Sequence, residues 1–369
     1  MDNTIKKTQI YDIHKELNAN IVNYNGTYLP IYYSSIQNEH NAVRNHIGLF
    51  DVSHMGNLII NTKTRNEAIS FFNYLLPNNY SNIVPHKAIY STMLNHNGCV
   101  IDDLIVMSVS ETSYHIIVNA ANIQKDYEWI LKNNKNDNIE IKNMSDNFSI
   151  IAVQGPESEI FLKEEFNFDI SDLKSFELKN IKLNNYEFII SKTGYTGENG
   201  YEIIINNENA CELFKDLLNK GKAYNLLPCG LGARDILRLE AALPLYGHEL
   251  DEEHSPLQTN IFWSVKLNKP DDFIGKDSLL KNKDNYKDKL LGFTVESKSI
   301  PRSKMIIINN SGNKVGYVTS GTYSPYLKKN IGLAYINNEV INNADELFVQ
   351  IRNNNEKIKI VDIPFYKKK

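Results

Sequence analysis

Apolar residues fall into two textures along this chain. Up to about residue 280, short apolar runs of strand length alternate with stretches whose apolar residues recur at helical spacing. Residues 64–76 (TRNEAISFFNYLL) and 121–132 (ANIQKDYEWILK) carry the helical spacing, and a further helix is expected from about Asn209 to Lys220. Strands are expected at 114–118 (YHIIV), 186–191 (YEFIIS) and 201–205 (YEIII), and at 148–153 (FSIIAV), which stops at the breaker Gln154-Gly155-Pro156. Mixed order with hairpins argues for an α+β fold rather than a doubly wound sheet. Residues 276–289 are dominated by Lys and Asp and predict a helix followed by a solvated linker. Beyond them the pieces LLGFTV, KMIIIN, KVGYVTSG, IGLAYI, LFVQIR and KIKIVDIPF read as short strands separated by turns. Several short strands at this spacing predict a small barrel or sandwich. The change of texture divides the chain into a region 1–284 and a C-terminal region 285–369.

Polar residues that interrupt this frame are the candidates for chemistry. GCVIDDLIVM (98–107) is an apolar run of strand length broken by Asp102 and Asp103. Strand side chains alternate faces, so the two carboxylates point opposite ways. A carboxylate on an apolar surface is costly unless it is paired or used. The alternative is a strand end, with Asn97-Gly98 as the turn and both Asp side chains bonding to it. GYTGENGYE (194–202) places three glycines and two tyrosines between strands. Tyr195 offers a ring face and a hydroxyl, and Glu202 opens the next strand; an ordinary glycine-rich hairpin is the competing reading.

PCGLGARDILRLEAALPLYG (228–247) has Gly230 and Gly232 before a helical pattern. Asp235 occupies the third-glycine position of a dinucleotide fingerprint and no strand leads in, so that motif is rejected. Arg234 then lies in a first helical turn, where the helix dipole disfavours a cation. Its place is explained by a ligand carboxylate or a buried acid, and a structural pair with Asp235 or Glu240 is the alternative. FDVSHMG (50–56) reads as a short strand whose His54 and Met55 are candidates to line a pocket. His248 and His254 lack zinc spacing, so no metal is expected.

Composition narrows the classes further. The chain has 369 residues, with 42% apolar, 23% charged and a net charge of −4. That is ordinary for a globular protein and gives no global field for nucleic acid or anionic membrane. Cys99, Cys211 and Cys229 have neither metal nor redox spacing, which fits a reducing compartment. The N-terminus lacks the apolar core of a signal peptide, and no run reaches the ~20 residues that span a bilayer. A cytoplasmic protein without a membrane or nucleic-acid partner is expected.

Taken in order, these segments resemble the aminomethyltransferase family, the T protein of the glycine cleavage system. The matching pieces are EHNAVRNHIGLFDVSHMG (39–56), KAIYSTMLNHNGCVIDDLIV (87–106), IIVNAANIQKDYEWI (116–130), IAVQGPES (151–158), TGYTGENGYEI (193–203) and PCGLGARDILRLEAALPLYGHELDE (228–252). FIGKDSL (273–279) and VTSGTYSP (318–325) carry the likeness into the last region. The resemblance implies two interleaved mixed α/β lobes, within 1–284, that bind tetrahydrofolate, followed by an antiparallel β-barrel at 285–369. It implies transfer of an aminomethyl-derived carbon from the lipoyl arm of the H protein to tetrahydrofolate, with release of ammonia. Asp103 matches the catalytic aspartate of that family. Tyr90, Asn119, Tyr195, Glu202 and Arg234 match folate-site positions, and Met55 is grouped with them. The chain departs from the family where Thr27 replaces a tryptophan and Cys99 a glycine, and its C-terminal tail PFYKKK is short. Two other readings share the resemblance. Folate-binding accessory proteins for iron–sulfur enzymes carry a Lys-Gly-Cys-type motif where this chain has GYTGENGYE, and oxidative demethylases need a flavin domain for which this chain has no room. Basic groups Arg302, Lys328, Lys329 and Lys367 to Lys369 are expected aids to H-protein docking, with a solvated surface as the alternative.

Overall fold

A computed structural model describes residues 5–183, 186–342 and 346–368. They group into two compact units, one built from the chain up to 72 with 80–90 and 104–235, the other from 73–79, 91–103 and 236 onward.

The first unit is organised by a six-stranded sheet in the order Leu178–Leu183, Tyr186–Ser191, Gly200–Asn206, Phe148–Gln154, Gly48–Asp51 and Leu227–Pro228. Its pairs are antiparallel except the last, which is parallel. Ile150, Ile151, Ala152 and Val153 of a central strand are all buried, so both faces are covered and the sequence runs apolar without alternation. Helix Asn207–Gly221 buries Ala210, Leu213, Phe214 and Leu217, the i, i+3, i+4, i+7 stripe of an amphipathic helix. These side chains share one core with Ile151, Val153, Ile203 and Ile205.

A second sheet has the order Lys87–Leu94, Val100–Ser108, Ser113–Val118, Gly56–Asn61 and Glu140–Asn143. The segment expected as a helix at 121–132 forms a turn at Ala120–Asn122 and then helix Ile123–Asn133. FDVSHMG is not one strand. The strand ends at Asp51, whose carboxylate accepts the Ser53 N–H (2.9 Å) and turns the chain, and a new strand starts at Gly56. The N-terminal region adds a small sheet (Lys6–Lys7, Thr27–Tyr32, Asn20–Tyr24) and helices Tyr11–Glu16 and Ile36–Asn45, which its weak periodicity did not announce.

The second unit contains a closed barrel in the order Asp288–Val295, Lys329–Asn337, Lys314–Ser324, Ile306–Asn309, Leu347–Ile351 and Asn354–Val361, antiparallel throughout. Closure removes the free sheet edges. Phe293, Val295, Val318, Ala334, Ile336 and Val349 belong to its core. Ile331, Leu333 and Tyr335 alternate with these and pack with Leu239 and Leu290, which is why IGLAYI has no polar face. A register shift between Val318 and Ser320 brings two adjacent hydroxyls to a buried ion pair. Arg238 meets Glu249 at 2.8 Å and donates to the Ser320 hydroxyl at 2.8 Å, while Thr319 donates to the other Glu249 oxygen at 2.6 Å. Among the described residues no helix is long and apolar enough to cross a membrane.

Candidate active site

The glycine-rich segment 192–199 joins the strands Tyr186–Ser191 and Gly200–Asn206. One buried amide sets its shape. Gln154, 1% exposed, donates from Nε2 to the carbonyls of Thr193 (3.2 Å) and Tyr201 (3.4 Å), and its Oε1 accepts the Thr196 hydroxyl (2.9 Å). The chain wraps this side chain so closely that a Cβ at Gly194 or Gly200 would lie 2.0 or 2.4 Å from it. Only glycine permits that approach. Arg44, from helix Ile36–Asn45, clamps the loop by donating to the Thr196 carbonyl (2.8 Å) and the Glu198 carboxylate (2.9 Å). Both charged side chains are almost fully buried, so opening the loop would strand a charge away from water.

Tyr195 is thus held between two fixed neighbours while its own side chain stays partly exposed. The Arg234 guanidinium lies over its ring, 4.6 Å from the centroid, an attractive cation–π geometry. Arg234 sits in the first turn of helix Leu231–Glu240. The buried carboxylate of Glu39 fixes the start of that helix. It accepts backbone N–H groups from Tyr33 (2.6 Å), Ser34 (2.9 Å) and Gly230 (2.9 Å). Burial raises the Glu39 pKa, and the three backbone bonds oppose the rise without cancelling it. A Cβ at Gly230 would lie 2.5 Å from the Ile31 carbonyl. Gly230 before this helix and Gly232 inside it therefore serve close packing. Contrary to expectation a short strand, Leu227–Pro228, does lead into the segment, but Asp235 still holds the third-glycine position.

Glu202 stands at the base of the same loop. Its Oε2 accepts the Thr193 hydroxyl at 2.5 Å, and Thr193 is bonded in turn to the Ser191 hydroxyl at 2.7 Å. His54 is buried, and its ring meets Tyr24 edge-on at 5.7 Å. Its Nδ1 has no hydrogen-bond partner among the described residues. Burial first, then the charge of Arg234, pushes the His54 pKa down to about 4 against the opposing pull of Asp51. A neutral imidazole follows at neutral pH. Met55, Tyr90 and Asn119 are each partly exposed. The Asn119 carbonyl accepts the Asn122 N–H (2.9 Å), which starts the turn into helix Ile123–Asn133.

In the second unit, the two aspartates lie inside the strand Val100–Ser108, not at its end. The turn before it is closed by Asn95, whose side chain accepts the N–H groups of Asn97 (2.9 Å) and Cys99 (3.1 Å). Asp102 is 0% exposed, whereas Asp103 is partly exposed. That is the alternation a strand demands.

The structure brings Tyr195 and Arg234 into contact and sets Glu202 at the foot of the Tyr195 loop. In the sequence Gln154 reads only as part of a breaker, and Arg44, Glu39 and Thr193 carry no local signal. Gln154 did leave a signal: a side chain rich in hydrogen-bonding atoms at the end of a fully apolar strand.

The comparisons bear on the whole chain. The model of the GCVT N-terminal domain matches residues 10–269, and that of the glycine cleavage T-protein C-terminal barrel domain matches 289–367. The aminomethyltransferase of Caldanaerobacter subterraneus subsp. tengcongensis is 46% identical, with 100% of this chain and 97% of that protein aligned. The aminomethyltransferase of Bacillus subtilis is 41% identical over 99% of this chain and 100% of its own. The crystal structure of glycine cleavage system aminomethyltransferase T from Bartonella henselae superposes with a TM-score of 0.91 at 26% identity, covering 98% of each chain. Mixed α/β sheets followed by a closed antiparallel barrel are thus the architecture of a known enzyme class. The chain belongs to the glycine cleavage T-protein family of aminomethyltransferases.

Proposed function

We propose that the protein transfers the aminomethyl-derived carbon from the lipoyl arm of the glycine cleavage H protein to tetrahydrofolate in the cytoplasm, leaving ammonia and dihydrolipoyl H protein. The observation that carries this reading is the pinned loop, with Tyr195 under Arg234 and Glu202 at its foot, on a chain of this family.

The donor set suits a folate. A pterin edge presents N–H groups, and an ionised carboxylate such as Glu202 only accepts. Thr193 orients that carboxylate through the 2.5 Å bond to Oε2. The Tyr195 ring gives a face for packing, and Arg234 supplies a cation that sets local charge and orientation. Tyr90, Asn119 and Met55 complete the folate contacts in this proposal. The pterin supplies the nitrogen nucleophile that takes the one-carbon unit from the lipoyl sulfur. Asp103 hydrogen-bonds the pterin nitrogens, moves a proton as ammonia leaves, and by its charge favours the cationic character of the carbon in transit. Much of the acceleration comes from holding arm and folate in line and away from water. No metal takes part.

The test is direct. The protein is incubated with aminomethylated H protein and tetrahydrofolate, and ammonia and methylenetetrahydrofolate are measured. Equal, enzyme-dependent formation of both is expected. Folate binding without either product would leave an accessory folate-binding protein instead.

A further inference from the structure

The loop Asp251–His254 carries a carboxylate and a histidine to which the proposed reaction gives no role. Asp251 Oδ1 accepts the N–H groups of Glu253 (2.9 Å) and His254 (2.9 Å) and lies 2.7 Å from His254 Nδ1. The His254 ring stacks on Tyr335, with centroids 4.0 Å apart and planes 18° from parallel. Its Nε2 is 3.3 Å from the Tyr317 hydroxyl. The Tyr335 hydroxyl donates to the Glu249 carbonyl at 2.8 Å. The loop is therefore stapled to the barrel strands Lys314–Ser324 and Lys329–Asn337.

The same loop grips the start of the strand that bears Asp103. The Val100 N–H is shared between the carbonyls of Asp251 (3.1 Å) and His254 (3.0 Å). The Asn95 side chain, in the turn just before, donates to the Glu252 carbonyl at 3.4 Å. Asp103 follows three residues later, about 10 Å along a strand rising ~3.3 Å per residue.

We propose that Asp251 and His254 are positioning residues for Asp103: their pair fixes the loop, the loop fixes Val100, and Val100 fixes the reach of the carboxylate. This rests on the reading of Asp103 as the proton-handling group. Neither residue touches substrate in this scheme.

The arrangement makes turnover depend on pH. Burial pulls the His254 pKa down, but the hydrogen bond and charge of Asp251, with Asp288 and Glu253, hold it above the ordinary histidine value. Burial likewise works to raise the Asp251 pKa, and the bonds from His254 and the Glu253 N–H outweigh it and hold it low. The other titratable groups facing the pair are Tyr317 and Tyr335 on the barrel strands and Cys99 on the preceding turn, which feels Asp251 and Glu253. A histidine with a raised folded-state pKa gives its full stabilisation below the ordinary histidine range and loses it as pH rises through the folded value. The latch loosens on the alkaline side, and kcat falls with it.

His254→Gln and Asp251→Asn, in the full chain, test this from about pH 6 to pH 9, a window shifted to the alkaline side of the ordinary histidine range because the His254 pKa is raised. We expect kcat at neutral pH to fall about tenfold in each, inside the ~10²-fold that a misplacement of about 1 Å costs. Folate affinity should change much less than kcat, the alkaline limb of the kcat profile should vanish, and the Val100 amide should lose hydrogen-exchange protection. The double variant should be no worse than either single one, because both break one pair. Wild-type kcat, pH profile and Val100 protection in both variants would overturn the proposal. If the unaltered protein forms neither ammonia nor methylenetetrahydrofolate, the functional reading fails instead. Val100 protection still decides the latch, since unchanged protection in the variants refutes it whatever the reaction.

Discussion

In the barrel, order comes from apolar side chains at alternate positions, such as Phe293 with Val295 and Ala334 with Ile336, that fill a closed interior. In the loop 192–199 it comes from buried polar groups: the Gln154 amide on one side and the Arg44–Glu198 pair on the other. The first kind of order tolerates substitution, because a core accepts apolar side chains of similar volume at modest cost. The second kind does not, because each group removed leaves another buried without a partner. Parts of the molecule whose backbone is held by buried polar groups are thus expected to be fragile, and parts held by apolar packing are expected to be forgiving.

The strand Val100–Ser108 lies between these extremes and gives the largest predicted effect. Asp103→Asn keeps the strand and lowers turnover by roughly 10²–10⁴, the range for loss of an acid–base group. Asp102→Asn, at a fully buried position, instead lowers unfolding stability by about 1–3 kcal/mol and leaves turnover in the remaining folded protein near normal. Steady-state kinetics and urea unfolding of both variants separate the two faces. The opposite pairing of effects would refute the assignment of roles.

Next in size is the loop. Gln154→Ala removes the partner of the Thr193 and Tyr201 carbonyls and of the Thr196 hydroxyl at one stroke. At about 1–3 kcal/mol for each buried group left unsatisfied, stability should fall by roughly 3 kcal/mol or more. Folate binding should weaken as well, because Tyr195 and Thr193 lose their fixed backbone. A barrel exchange of similar apolar volume, Ile336→Leu, should cost less than about 1.5 kcal/mol and leave folate binding alone. If the two variants cost the same, the contrast between loop and barrel does not hold.

That contrast also explains what the sequence could disclose. The barrel strands, the strand 148–154 and helix 207–221 follow from apolar period, since burial of one or both faces leaves its mark on composition. Asp102 and Asp103 are separated by sequence alone, because alternation is a property of every strand. The Gln154 clamp, the Glu39 cap on the Arg234 helix and the Asp251–His254 latch could not be read in this way. Each joins residues far apart in the chain through directional bonds, and nothing in local hydropathy records such a bond. The strand expected at 50–56 failed for a related reason: Asp51 turns the chain by a side-chain bond to the Ser53 N–H, which a hydropathy pattern cannot weigh.

Glu202→Gln sharpens the comparison at smaller scale. The amide oxygen still accepts the Thr193 hydroxyl, so the base of the loop persists, and only the charged acceptor is lost. Folate should bind more weakly by ~1.5–3 kcal/mol in calorimetry, with stability unchanged. An unaltered dissociation constant would make Glu202 a structural residue and leave another acid to meet the pterin.

The smallest effect is expected at the barrel surface. Lys328 and Lys329 are exposed in the hairpin between two barrel strands, and Lys367 and Lys368 are exposed at the tail; Lys369 lies outside the described residues. Arg302 differs, since it already donates to the Gly321 carbonyl at 3.1 Å. On a chain of net charge −4 these exposed lysines are the expected steering groups for the H protein in the proposed reaction. Steering acts on encounter and not on chemistry, so KM for the H protein should rise severalfold as salt shortens the Debye length from about 30 Å at 0.01 M towards about 8 Å at 0.15 M. Lys328→Glu with Lys329→Glu should reproduce that rise at low salt, flatten the salt dependence, and leave both saturated turnover and folate binding as they were. Arg302→Ala should add a small loss of stability, because its guanidinium bonds to the backbone. A KM that ignores both salt and charge reversal would take the lysines out of the encounter and assign docking to an apolar surface.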